Sequence, residues 1–175
     1  NALHDFAEAS ALNYMGHGPN PNDSLDTSNR LGQECLAISR FIGHMVKQGW
    51  SPVGVEIDLR TEMLIGQIDI VFRNGKHYLI ADWKSSMDEK DFKKMTGPCS
   101  DLWDNRMTKA SLQLEIYRRM AIKMGLYPDA EAITTEIFYI NKAVKRIRPI
   151  EVSENVLGMF RILACDPAKL SSFSQ

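Results

Sequence analysis

From Leu3 to Met15, apolar residues recur at helical spacing (Leu3, Phe6, Ala7, Ala11, Leu12, Met15), until a stretch rich in Gly, Pro and Asn stops the pattern at residues 16–22. A short helix and a loop are predicted there. A second helix, capped by Asp26, Thr27 or Ser28, runs to about Gln48 with Leu31, Cys35, Ile38, Phe41, Ile42 and Met45 on one face. From Pro52 the period changes to two: Val53, Val55, Ile57 and Leu59 alternate with Gly54, Glu56, Asp58 and Arg60, the mark of a strand with one buried face. Two further strands, residues 65–73 and 76–85, flank Asn74-Gly75, a strong hairpin signal. Residues 101–124 read as a helix, 133–140 as a strand, 142–148 as another strand and 154–165 as a last helix. The predicted order is helix, helix, three-strand meander, helix, strands and helix.

Composition adds limits to this picture. The chain has 175 residues, 44% hydrophobic and 25% charged, which fits one globular domain and excludes disorder as its main state. No apolar run approaches the ~18 residues of a membrane span. The formal net charge of −1 excludes binding to nucleic acid by bulk charge, so any such contact must be local. Three cysteines, Cys35, Cys99 and Cys165, are too few and too scattered for a disulfide framework, and an intracellular, reducing compartment is expected. The first residue is Asn1, and a longer polypeptide around this domain is expected.

The hairpin concentrates the chemistry. A two-residue turn at Asn74-Gly75 pairs Arg73 with Lys76 and sets Asp69 across from Ile80. Alternation then projects Asp69, Asp82 and Lys84 from one face, and collects Ile68, Ile70, Phe72, Leu79, Ala81 and Trp83 on the other, which is predicted to meet a helix layer. In that register Asp69 and Asp82 are diagonal neighbours about 7–8 Å apart, from which two carboxylates can share a cation. Glu56, on the polar side of the first strand, is a third candidate ligand. Converging acids repel unless a cation neutralises them, and hard carboxylate oxygens select Mg²⁺ or Mn²⁺. Lys84 cannot ligate a metal while protonated, but it can stabilise charge developing on a phosphoryl oxygen. The plain alternative is a set of solvated charges on an exposed sheet.

Glu56, Gly66-Gln67-Ile68-Asp69, Asp82-Trp83-Lys84 and Gln113-Leu114-Glu115-Ile116-Tyr117, in that order, resemble the PD-(D/E)XK nuclease superfamily. The Gln-x-x-x-Tyr element is similar to that of its RecB-like branch, which includes lambda-type exonucleases. The resemblance implies a restriction-endonuclease-like α/β fold, a mixed β-sheet flanked by helices with an αβββαβ core over residues 30–150. Residues 1–29 are then an N-terminal helical extension and 151–175 a C-terminal helix of the same domain. It also implies metal ligation by Asp69, Asp82 and the backbone carbonyl of Trp83, and catalytic roles for Lys84, Glu56, Gln113 and Tyr117. Many RecB-like enzymes carry a metal-binding His on the helix before the sheet. Here Gly32-Gln33-Glu34-Cys35-Leu36 has none, which leaves Glu34 or His44 as substitutes.

Between Trp103 and Arg148 nine basic residues face five acidic ones. Arg106, Lys109, Gln113, Tyr117, Arg118, Lys142, Lys145 and Arg146 are therefore expected to line a nucleic-acid groove, with Trp50 and Trp103 as stacking candidates. Residues 88–101 form a loop at the mouth of the proposed site. The expected function is a Mg²⁺- or Mn²⁺-dependent deoxyribonuclease, an exonuclease on duplex ends or single strands of DNA. Its setting would be a DNA repair, replication or recombination complex of a cell, virus or phage. A cap-snatching-type viral RNA endonuclease, with His44 as metal ligand, and a catalytically silent nucleic-acid-binding module are the alternatives.

Overall fold

The computed structural model describes residues 1–62, 64–87, 94, 102, 104–154 and 157. The predicted helix at 154–165 apart from Glu154 and Leu157, Trp103, and the loop at 88–101 apart from Lys94 lie outside the described residues. Helix α1 spans Ala2–Tyr14, a 3-10 turn Pro21–Ser24, α2 Arg30–Lys47 and α3 Arg106–Lys123. The strands are β1 Ser51–Arg60, β2 Ile65–Asn74, β3 His77–Lys84, β4 Ala132–Ile140 and β5 Val144–Ile147. They form one mixed sheet in sequential order, antiparallel except for the β3–β4 pair. Parallel neighbours need a crossover, and α3 supplies it. Among the described residues no helix is long and apolar enough to cross a membrane.

Both sheet faces are covered. Ala7, Ala11, Ile38, Ile42, Met45, Ile70, Phe72, Leu79 and Trp83 belong to a core shared by α1, α2 and one face. Leu59, Ile68, Val71, Ile80, Leu114, Met120 and Ile137 belong to a second core beneath α3. This is the expected restriction-endonuclease-like arrangement. Helix α1, expected as an extension outside the nuclease core, places Leu3, Ala7 and Ala11 in the first core. The α2 cap is Asn29, whose side chain accepts from the Gly32 N–H at 2.8 Å, and not Asp26, Thr27 or Ser28. Asp26 instead accepts from the Ser28 N–H in the turn before the helix, and Leu31 is exposed.

The hairpin differs from its predicted register by two residues. Asn74 pairs with His77, so Gly75 and Lys76 make the turn. Gly75 has φ 60 and Asn74 stays on the negative side. A two-residue hairpin with glycine first needs positive φ only at that position, so Asn74 remains in the ladder. A slip of two preserves the faces, but it moves Asp69 from opposite Ile80 to one step beyond the Ile70–Ala81 pair, opposite Asp82.

The predicted unbroken apolar faces of β1 and β2 are each split. Ile70 packs in the α1–α2 core, but Ile68 packs under α3; on β1, Val55 joins the first core while Ile57 and Leu59 join the second. Residues two apart on a regular strand share a face, so the alternation breaks between them, at Glu56 and Asp69. Glu56 is the one non-glycine residue with positive φ (48) among those described. A left-handed backbone inside a strand turns the following side chains over, at a cost on the order of 1 kcal/mol. The sheet changes direction where the acidic residues sit.

Candidate active site

Trp83 anchors the end of β3. Its ring is buried edge-on against Phe41 and Phe138, with centroids 6.0 and 5.1 Å away, and that fixes which way its neighbours face. Asp82 and Lys84 consequently project toward α3. The Trp83 backbone N–H donates to Asp69 Oδ2 at 2.9 Å, tying the second carboxylate to the same strand end. Lys84 Nζ lies 2.8 Å from Asp82 Oδ2. That approach is an ion pair without hydrogen-bond geometry, and Oδ2, on a residue 9% exposed, has no hydrogen-bond partner among the described residues.

Two acids thus share one lysine. Burial and the charge of Asp82 push the Asp69 carboxyl up to about 7, against the opposing pull of the Trp83 N–H and Lys84. A carboxylate held this far above its ordinary value is short of positive charge.

Lys84 also lines a cleft of about 740 Å³ between the ends of β2 and β3 and the first turns of α3. Arg106, Lys109, Gln113 and Tyr117 line it from α3, one to each turn or nearly so. Gln113 Nε2 donates to the Tyr117 hydroxyl at 2.8 Å. Gly66 explains its place in the motif: a Cβ there would lie 2.4 Å from the Tyr117 ring. Only a bare backbone lets that ring pack against the start of β2.

The sequence profile of the PD-(D/E)XK nuclease superfamily matches residues 17–170. The chain belongs to this superfamily. Comparison with curated protein sequences finds no match. As a PD-(D/E)XK protein the chain is a metal-dependent nuclease, a hydrolase acting on nucleic acid, in a group that uses divalent ions, typically Mg²⁺ or Mn²⁺.

The acidic pair of this nuclease fits such an ion. Its donors are hard oxygens, one of them buried without a hydrogen-bond donor, and their charge exceeds that of the lysine beside them. Among the described residues no group of three or more His, Cys, Asp or Glu side chains is gathered closely enough to hold a metal. Glu56 is exposed, across from Asp69 on β1 by the flanking pairs Val55–Ile70 and Ile57–Ile68. Glu34 is ion-paired with Arg30 at 3.0 Å. His44 lines a different cleft, with Arg40 and Lys142, between α2 and the β4–β5 turn. His44, the metal ligand of the cap-snatching-type alternative, therefore lines a cleft other than the one that Lys84 lines.

Three residues expected at the nucleic-acid groove are engaged within the protein. Arg118 is 7% exposed and donates twice to Glu115, because its helix face turns toward the protein. Arg146 is clamped by Glu136 through two bonds of 2.6 Å. Trp50 packs against His77, which opens β3, at the opposite end of that strand from Lys84. Tertiary packing also brings His4 of α1 and Asn1, which caps that helix, to the cleft wall. No local sequence signal marks them, since only the folding of α1 onto the sheet creates the contact.

Proposed function

We propose that this nuclease is a deoxyribonuclease of the RecB-like, lambda-exonuclease-like branch, hydrolysing phosphodiester bonds from DNA ends or in single strands. The observation that carries the reading is the under-neutralised pair Asp69–Asp82, joined through Lys84 to a cleft that Gln113 and Tyr117 line. Asp69 and Asp82 would hold the divalent ion, with the Trp83 carbonyl beside them. When bound, Mg²⁺ or Mn²⁺ supplies an activated water and neutralises charge on the phosphoryl oxygens.

The chain's own residues do the rest. Lys84, held by Asp82, presents its ammonium to the cleft, where a phosphate oxygen gains charge during in-line attack. Gln113 orients the Tyr117 hydroxyl by donating to it, which leaves that hydroxyl's own proton for an acceptor on the substrate. Lys109 and Arg106 add positive charge along the same wall. Glu56, beside the pair, is the further acidic residue of the reading.

The test is cleavage of end-labelled linear and closed circular DNA with Mn²⁺, alongside an RNA oligonucleotide of matched sequence. Degradation of the linear DNA alone is expected. Equal cutting of circles overturns exonuclease action, and preferential cutting of RNA overturns the deoxyribonuclease assignment.

A further inference from the structure

Lys84 on β3 pairs directly with Tyr139 on β4, and Tyr139 pairs directly with Lys145 on β5. Directly opposed residues share a sheet face. Ile137 and Ile147, two residues from Tyr139 and Lys145, pack in the core beneath α3, while Phe138, Ile140 and Val144 pack on the other side. Tyr139 and Lys145 therefore stand on the face that carries Asp82 and Lys84. The three side chains form one row, cation, aromatic, cation, running from the catalytic centre to the edge of the sheet.

The row is unusual in what it leaves unpaired. Every other aromatic of β3 and β4 has a partner: Phe138 packs against Phe41, Phe72 and Trp83, and Tyr78 stacks on Tyr127. Tyr139 is half-buried, and among the described residues its ring and hydroxyl have no partner. On β5, Arg146 faces the other way and is neutralised by Glu136, whereas Lys145 is exposed and, among the described residues, has no acidic partner. Lys142 follows the same description in the adjoining turn.

We propose that an unpaired nucleic-acid strand crosses β4 and β5 along this row, with one base stacked on Tyr139 and a backbone phosphate on Lys145. The proposal rests on the nuclease reading of Asp69, Asp82 and Lys84, and it names the substrate that this centre takes: a single strand or an overhang. Lys84 and Lys145 are two strand spacings apart, about 10 Å, which leaves a nucleotide between the two cations. An aromatic face offers stacking to any base, but only to one whose own face is free, and a base inside a duplex has none to give. Positive charge at both ends of the row holds the backbone without reading sequence.

The test compares kcat/KM for a single-stranded oligonucleotide and a blunt duplex of the same sequence, in the wild type, Tyr139→Phe, Tyr139→Ala and Lys145→Gln. The wild type should favour the single strand. Tyr139→Ala should lower that preference at least about fivefold, the lower end of what stacking on one aromatic is worth, and Tyr139→Phe should restore it. Lys145→Gln, at an exposed position that cannot disturb the core, should reduce the slope of log affinity against log salt by about one. If Tyr139→Ala keeps the wild-type preference and Lys145→Gln the wild-type slope, the path is wrong while the nuclease reading stands. If the wild type cleaves neither substrate with Mn²⁺, both fall together.

Discussion

The Asp69–Asp82–Lys84 group and the Glu115–Arg118–Arg119–Glu154 group both withdraw charge from water, and they resolve it in opposite ways. Glu115 accepts from Arg118 at 2.9 and 2.8 Å and from Arg119 at 2.9 Å, and Arg119 also holds Glu154 at 2.6 Å. Two acids meet two guanidiniums, whose planar forks suit paired carboxylate oxygens. Burial pushes the Glu115 carboxyl up, but the bonds and charges of both arginines outweigh it and leave it below the ordinary glutamate value. At the end of β3 two acids meet one lysine, an oxygen lacks a hydrogen-bond partner among the described residues, and Asp69 rises to about 7. The first cluster balances its charges within itself, leaving only Arg118 Nη1 without a hydrogen-bond partner among the described residues, and ties α3 to the chain after β5. The second keeps an excess of negative charge that a further cation would neutralise, and a protein that keeps such a site gains something other than stability from it.

The largest effect that separates them is on cleavage. Asp82→Ala and Lys84→Ala should each lower nucleic-acid hydrolysis by roughly 1,000-fold or more, the scale of losing a charge-stabilising group, with an unchanged circular-dichroism spectrum. Full activity in either variant removes the catalytic role. The paired cluster should behave in reverse. Glu115→Gln should cost about 3–5 kcal/mol in urea unfolding at pH 7, because two guanidiniums, 7% and 4% exposed, lose their shared counter-charge. The sign with pH follows from the depressed carboxyl. Glu115 contributes its full stability above its unfolded value, about pH 4, and loses it as pH falls through the lower folded value. The gap between wild type and Glu115→Gln should therefore shrink toward pH 3; a gap that persists there would mean the glutamate acts through shape and not charge.

Much of this contrast was legible in the sequence, and the missing part has physical causes. The strand and helix periods located every described strand and α-helix, though not the 3-10 turn, and the order Gly66, Asp69, Asp82, Lys84, Gln113, Tyr117 singled out residues that the fold gathers around one strand end and one cleft. The hairpin register slipped by two because local rules allow Asn-Gly at either offset, and only the positive φ at Gly75 chooses. The broken alternation at Glu56 and Asp69 was invisible, since a period-two pattern cannot report a left-handed residue within it. Arg118 looked like a groove residue because charge in a sequence carries no partner; its partner Glu115, three residues away, decided the matter. His44 and Trp50 were placed by their helix and its end, and tertiary geometry took both away from the acids.

The smallest effect tests the comparison most directly, because it asks whether the acidic pair costs stability when no metal is bound. Asp69→Asn removes one of the two repelling charges yet keeps an oxygen to accept the Trp83 N–H, so the strand end stays tied. In EDTA the variant should be more stable than the wild type by about 1–2 kcal/mol, which for a domain of this size raises Tm by about 2–8 °C. In Mn²⁺ the order should narrow or reverse: the wild type gains stability by binding the ion to its folded state alone, and the variant, short of one anionic ligand, gains less. Differential scanning fluorimetry in both buffers reads the two shifts. A variant less stable than the wild type in EDTA would mean that Asp69 is already satisfied by the groups around it, and the distinction between the paired cluster and the waiting one would disappear.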